Sequence, residues 1–141
     1  MTYVASELRR LVIERAGNCC EYCRLSQEDV RFSFHIEHII AEKHRGQTIS
    51  ENLCLSCPNC NGFKGSDISS VDWDFSEETV PLFNPRRQQW TDHFRLNGAY
   101  IEPLTPEGRV TVFLLKMNDP EHIVERELLI QLDHYPCNAN S

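Results

Sequence analysis

The chain has 141 residues, 40% apolar and 25% charged, the balance of one globular domain long enough to bury a core. No apolar run approaches the ~18 residues of a membrane span, and Glu7, Arg9 and Arg10 interrupt any signal-peptide pattern, so a cytoplasmic location is expected. The net charge of −7 argues against a broadly basic duplex-binding surface. The excess is local, however. Residues 1–36 and 37–64 each sum to zero, whereas 65–80 holds five acidic and no basic side chains and 101–133 holds seven against three. Residues 81–100 are net +2.

Residues 6–16 read as a helix, with Leu8, Leu11, Val12 and Arg15 on one face, Ser6 as a cap and Gly17 as the stop. The helix leads straight into Cys20-x-x-Cys23, and residues 24–31 are polar connection. Phe32 to Ile40 alternates as a strand until the pattern breaks at His38-Ile39-Ile40, as expected where a site sits. A charged loop with Gly46 follows, then a short strand from Asn52, antiparallel to the first. Next comes a helix from Pro58 to about Gly65, capped by Cys57. Residues 66–80 read as an acidic loop with one turn at most. Gln88 to Phe94 is a short helix turning Trp90 and Phe94 inward, and Asn97-Gly98 marks a hairpin over 95–102. Thr105-Pro106 and Asp119-Pro120 start helices running to about Met117 and Leu132, and the tail 137–141 is expected to fray.

In a reducing compartment, seven cysteines mean free thiols or metal ligands rather than a disulfide framework. Two Cys-x-x-Cys turns, Cys20/Cys23 and Cys57/Cys60, supply two sulfurs each to a tetrahedral zinc site. With 33 residues between the pairs, a folded unit is inserted between them. Such a site is structural and says nothing of function. Cys19, Cys54 and Cys137 are left over, and free thiols suit an odd set better than bridges.

The insert carries the chemistry. A histidine titrates near neutrality, so His38 suits the base that activates an attacking water. Glu37 and the side-chain oxygen of Asn61 suit Mg²⁺ or Mn²⁺, which prefer oxygen ligands and retain exchangeable waters. Adjacent strand residues face opposite ways, so Glu37 and His38 serve one site only if the strand ends or twists there. His35 and His44 read as bystanders. Asn52 reads as a turn-fixing residue. Lys64 is either a cation at its helix C-terminus or a phosphate contact. Arg86 and Arg87 are phosphate contacts or surface partners of the acidic 65–80 loop.

The run Cys20-x-x-Cys23, Glu37-His38-Ile39, Asn52-Leu53, Cys57-x-x-Cys60-Asn61-x-x-Lys64 resembles the HNH endonucleases, whose fold is the ββα-metal motif. The flanks resemble small stand-alone bacterial members in the Glu-Arg-Ala-Gly helix end, in Leu82-Phe-Asn-Pro-Arg-Arg-x-x-Trp90 and in the stretch at 104–109. The resemblance implies an α+β fold: a core over about 17–66 stapled by the four-cysteine zinc site, and a C-terminal hairpin and two-helix extension over about 80–133. It also implies metal-dependent cleavage of DNA to 5′-phosphate and 3′-hydroxyl ends. His38 would be the general base, Glu37 and Asn61 would hold Mg²⁺ or Mn²⁺, and Asn52 would fix the loop and orient His38. Glu37 stands where aspartate is commoner in the family. Two rivals remain, a non-catalytic zinc-ribbon module binding nucleic acid or protein and an RNA-directed nuclease. So small an acidic chain has little surface for reading bases, so the expectation is weak sequence preference, or else a targeting partner protein or a second copy that supplies selectivity.

Overall fold

The computed structural model describes residues 3–138. Helix α1 spans Ser6–Ala16 and buries Val12 and Ala16. Gly17 closes it in the left-handed region (φ 63°), a conformation costly for any residue with a Cβ. Ser6 is not its cap: it lies inside the first turn, and Ala5 before it offers no side-chain bond. At the other end Arg15 donates to the carbonyls of Ser50 and Leu53 at 3.0 and 2.8 Å, tying the helix to the segment that opens the second strand.

Strand β1 covers only His35–His38, shorter than the alternation from Phe32 suggested. The Gln27 side chain is the reason. It accepts from Phe34 N and donates to Phe32 O at 2.9 Å, taking groups a strand partner would need. Phe32 is left exposed, while Phe34 is buried. Strand β2, Leu53–Ser56, is buried throughout and pairs antiparallel with β1, placing Glu37 opposite Cys54 and His38 opposite Leu53. Helix α2, Pro58–Lys64, follows at once, with Cys57 capping and Pro58 in the first turn as expected. Two short strands and a helix thus frame one small layer, and the fold is α+β.

The acidic segment is not a plain loop. Strands β3 (Ser69–Val71) and β4 (Thr79–Pro81) form a hairpin. Asp72 organises its turn, accepting from Ser76 Oγ and from Arg109 Nε and Nη2 at 3.0 and 2.9 Å. That long-range ion pair is invisible to local periodicity. Helix α3 is a single turn, Trp90–His93. Strands β5 (Phe94–Asn97) and β6 (Tyr100–Pro103) turn through Gly98 as predicted. Helices α4 (Pro106–Leu114) and α5 (Pro120–Gln131) complete the chain, α4 ending short of Met117. Leu128 and Leu132 face solvent, and α5 instead buries Arg126, which donates to the carbonyls of Ala99 and Met117. Among the described residues no helix is long and apolar enough to cross a membrane.

The C-terminal half packs on the turn that carries Cys20 and Cys23. Trp90 Nε1 donates to Tyr22 O at 2.7 Å, and Phe83 meets Tyr22 and Phe94 edge to face. Tyr135 Oη donates to Cys23 O at 2.7 Å, and Cys137 N donates to Arg24 O. Cys137 is therefore not frayed, although residues 139–141 lie outside the described region. Nor are Cys19 and Cys137 free thiols: they form a disulfide across a sequence separation of 118. Closing so long a loop restricts the unfolded chain, so Cys137→Ser should cost about 2–4 kcal/mol. For a chain of this size that is on the order of 10 °C in Tm, read by thermal melts with and without reductant.

Candidate active site and metal centre

Sequence-adjacent geometry builds the thiolate cluster. The Cys20–Cys23 turn closes through Cys20 N to Leu25 O and Arg24 N to Cys20 O. Glu21 then clips it to β2 twice, its N–H donating to Leu55 O and its carboxylate accepting from Leu55 N, both at 2.9 Å. Cys57 Sγ accepts from Cys60 N as the cap of α2. The result is four buried sulfurs within 4.8 Å of one another, Cys23 and Cys57 being 3.7 Å apart. Tetrahedral metal–sulfur bonds of ~2.3 Å require sulfur spacings of ~3.8 Å, so the set fits zinc. Burial opposes charging at Cys20, but hydrogen bonds from the other three thiols hold its pKa well below the usual range. Those contacts push Cys23 and Cys60 up. A cation is what lets more than one sulfur carry charge.

Behind this cluster, β1 delivers Glu37 and His38 to one cleft, of about 600 Å³, that Asn61 of α2 also lines. Both line the cleft although they are neighbours on β1, whose last residue is His38. Its continuation is pinned as a bend by Asn52, whose Oδ1 accepts from Ile40 N and whose Nδ2 donates to Ile40 O and Gln47 O, all at 2.9 Å. Asn52 thus fixes the loop through the backbone, and the imidazole's partner is another residue: His38 Nε2 and Thr48 Oγ1 are hydrogen-bonded at 2.9 Å. Gly46 belongs to the same arrangement, since a Cβ there would lie 1.7 Å from Ile40 O. Sequence reasoning passed over Thr48, a common loop residue whose meeting with His38 depends on this bend.

Glu37 is 6% exposed, and burial pushes its carboxyl up to about 7, against the opposing pull of Lys64 and of a Cys54 hydrogen bond. The Cys54 thiol lies 3.5 Å from Oε2 and 3.7 Å from Tyr22 Oη. Oε1 is buried without a hydrogen-bond partner. An orphaned carboxylate oxygen in a cleft with an amide side chain is a donor set that a hard divalent ion fits.

Of the basic residues weighed as phosphate contacts, Lys64 and Arg86 are engaged inside the protein and Arg87 is not. Lys64 is 1% exposed and cannot reach a substrate backbone. Arg86 pairs with Glu21 rather than with the acidic 65–80 segment. Arg109 makes that connection instead, to Asp72. Arg87 is exposed. His35 is exposed on β1, and His44 is hydrogen-bonded to Ser66 O.

Residues 20–67 match the HNH endonuclease family model. The chain is also 23% identical over 125 residues to the Septu protein PtuB of Bacillus thuringiensis, an alignment covering 87% of this chain and 46% of the relative. It therefore spans about half the length of the curated relative it matches. No solved structure matches the chain.

Proposed function

With an HNH endonuclease domain at residues 20–67 as the premise, we propose that the chain hydrolyses DNA phosphodiester bonds in a metal-dependent reaction, leaving 5′-phosphate and 3′-hydroxyl ends. The observation that carries the reading is the unpartnered, buried Oε1 of Glu37, in one cleft with His38 and Asn61. Glu37 and Asn61 would hold Mg²⁺ or Mn²⁺. When bound, that ion supplies Lewis-acid stabilisation of charge on the scissile phosphate and leaving oxygen. His38 takes the proton of the attacking water. With Nε2 engaged by Thr48, Nδ1 is the nitrogen left for that proton. Asn52 acts one step removed, by setting the bend that carries His38. Cys20, Cys23, Cys57 and Cys60 bind a structural zinc. Residues 80–133 brace the frame as an accessory extension within a single domain.

The net charge of −7 makes the metal the principal link to phosphate, with Arg87 as a backbone contact and sequence preference weak unless a partner protein or second copy adds it. The test is supercoiled plasmid incubated with zinc-loaded protein and Mn²⁺ or Mg²⁺. Nicked or linear product that ligase reseals is expected, with matched RNA left intact. A zinc-loaded protein that takes up no Mn²⁺ and leaves plasmid supercoiled would instead be a non-catalytic zinc module.

A further inference from the structure

We infer that Lys64 is a positioning residue: the buried brace that sets the separation between β1, which carries Glu37 and His38, and α2, which carries Asn61. The inference rests on the nuclease reading above and assigns a task to a side chain that the proposed chemistry does not use. Lys64 is the last residue of α2 and 1% exposed. A lysine is rarely so buried, because its ammonium loses its hydration unless it finds partners.

Its partners are both on β1 or its continuation. Nζ donates to Ile39 O at 2.9 Å and lies 3.9 Å from Glu37 Oε1. The second distance has consequences of its own. It is close enough to hold the carboxylate by charge but too long for a hydrogen bond, so Oε1 keeps its lone pairs for an incoming ion.

Residues three apart on a helix share a face, so Asn61 and Lys64 approach β1 together. The carbonyl that Lys64 takes belongs to the bend between His38 and Ile40. Asn52 holds the following residue, Ile40, by its N–H and its carbonyl. Lys64 and Asn52 therefore grip one peptide group of the bend from two sides: Lys64, from α2, takes the Ile39 carbonyl, and Asn52, from the turn before β2, takes the Ile40 N–H joined to it and then the Ile40 carbonyl. Without Lys64 the two candidate metal ligands would sit on elements that, among the described residues, no other side-chain hydrogen bond or ion pair joins at this point. A solvated phosphate contact would need neither the burial nor the carbonyl.

Lys64→Met tests the brace, since it keeps the bulk of the side chain and removes the ammonium. Mn²⁺ titrated into the zinc-loaded variant should bind at least tenfold more weakly, and kcat for plasmid cleavage should fall at least tenfold at saturating DNA. KM for plasmid should stay within twofold, and zinc should remain at one per chain. A variant matching the parent in Mn²⁺ affinity and kcat overturns the inference alone. So does one that raises KM with kcat unchanged, the signature of a phosphate contact. A parent protein that neither binds Mn²⁺ nor cuts overturns the nuclease reading, and this inference with it. If Lys64→Met is recovered unfolded, Lys64→Ala refolded in n-propylammonium or in n-propanol decides the point. Recovery of Mn²⁺ binding with the amine alone supports the brace, and equal recovery or none overturns it.

Discussion

Cys57→Ser should unfold the protein rather than merely weaken it. Cys57 carries two loads at once, as one of four sulfurs within 4.8 Å of one another and as the cap whose Sγ accepts from Cys60 N at the start of α2. Apparent binding free energies of structural zinc are about 10–16 kcal/mol, comparable with or larger than the whole stability of an ordinary domain. Loss of one thiolate removes much of that and leaves three buried sulfurs, among which the thiol contacts favour charge on Cys20 and oppose it on Cys23 and Cys60. The surrounding elements cannot compensate, because β1 and β2 are four residues each and α2 is seven. Zinc analysis and circular dichroism check it, with one zinc per chain in the parent, none in the variant, and helical signal lost in parallel. EDTA or a stronger chelator should reproduce the same unfolding in the parent. A variant that keeps its fold without metal would show the four cysteines to be an ordinary buried cluster.

The cysteine pairs were legible because Cys-x-x-Cys is a local device. A tight turn places both sulfurs whatever the rest of the chain does, and only the meeting of the two turns needed tertiary structure. The Gly17 stop of α1, the Cys57–Pro58 start of α2 and the Asn97-Gly98 hairpin were legible for the same reason, each being set by a few adjacent residues, whereas the start of α1 and the end of α4 were misplaced. What escaped depends on distant partners. Cys19 and Cys137 are separated by 118 positions, and nothing in the spacing of seven cysteines singles out that pair. The β3–β4 hairpin needs Arg109 on Asp72, so its sequence reads as acidic coil. Lys64 read as a cation at its helix end or a phosphate contact; it is in the last turn of α2, but its burial depends on Ile39 O and Glu37, which no local pattern shows. At the candidate site the residue types suggested the chemistry proposed above. The arrangement that puts two neighbouring β1 residues in one cleft is the work of Asn52 and Gly46, acting on the backbone of Ile40.

His38→Ala should lower plasmid cleavage by about 10²–10⁴-fold, the usual contribution of a positioned general base. It should do so without disturbing either metal site. The side chain is half-buried and hydrogen-bonded to Thr48, and the four sulfurs and Glu37 keep their own contacts when it is removed. Zinc content and Mn²⁺ affinity should therefore match the parent within twofold, separating lost catalysis from lost folding. Thr48→Val gives a graded companion. It keeps the imidazole and deletes the hydroxyl bonded to Nε2, so the ring loses the contact that presents Nδ1 to water. A net hydrogen bond of about 0.5–1.5 kcal/mol corresponds to roughly a two- to tenfold loss in kcat, again with Mn²⁺ binding unchanged. Because the two changes act on one group, the double variant should be no worse than His38→Ala, whereas independent effects would multiply. Single-turnover cleavage by all three proteins measures this directly. Parent-like cleavage by His38→Ala would remove His38 from the mechanism and leave Glu37 and Asn61 as a metal site without a base.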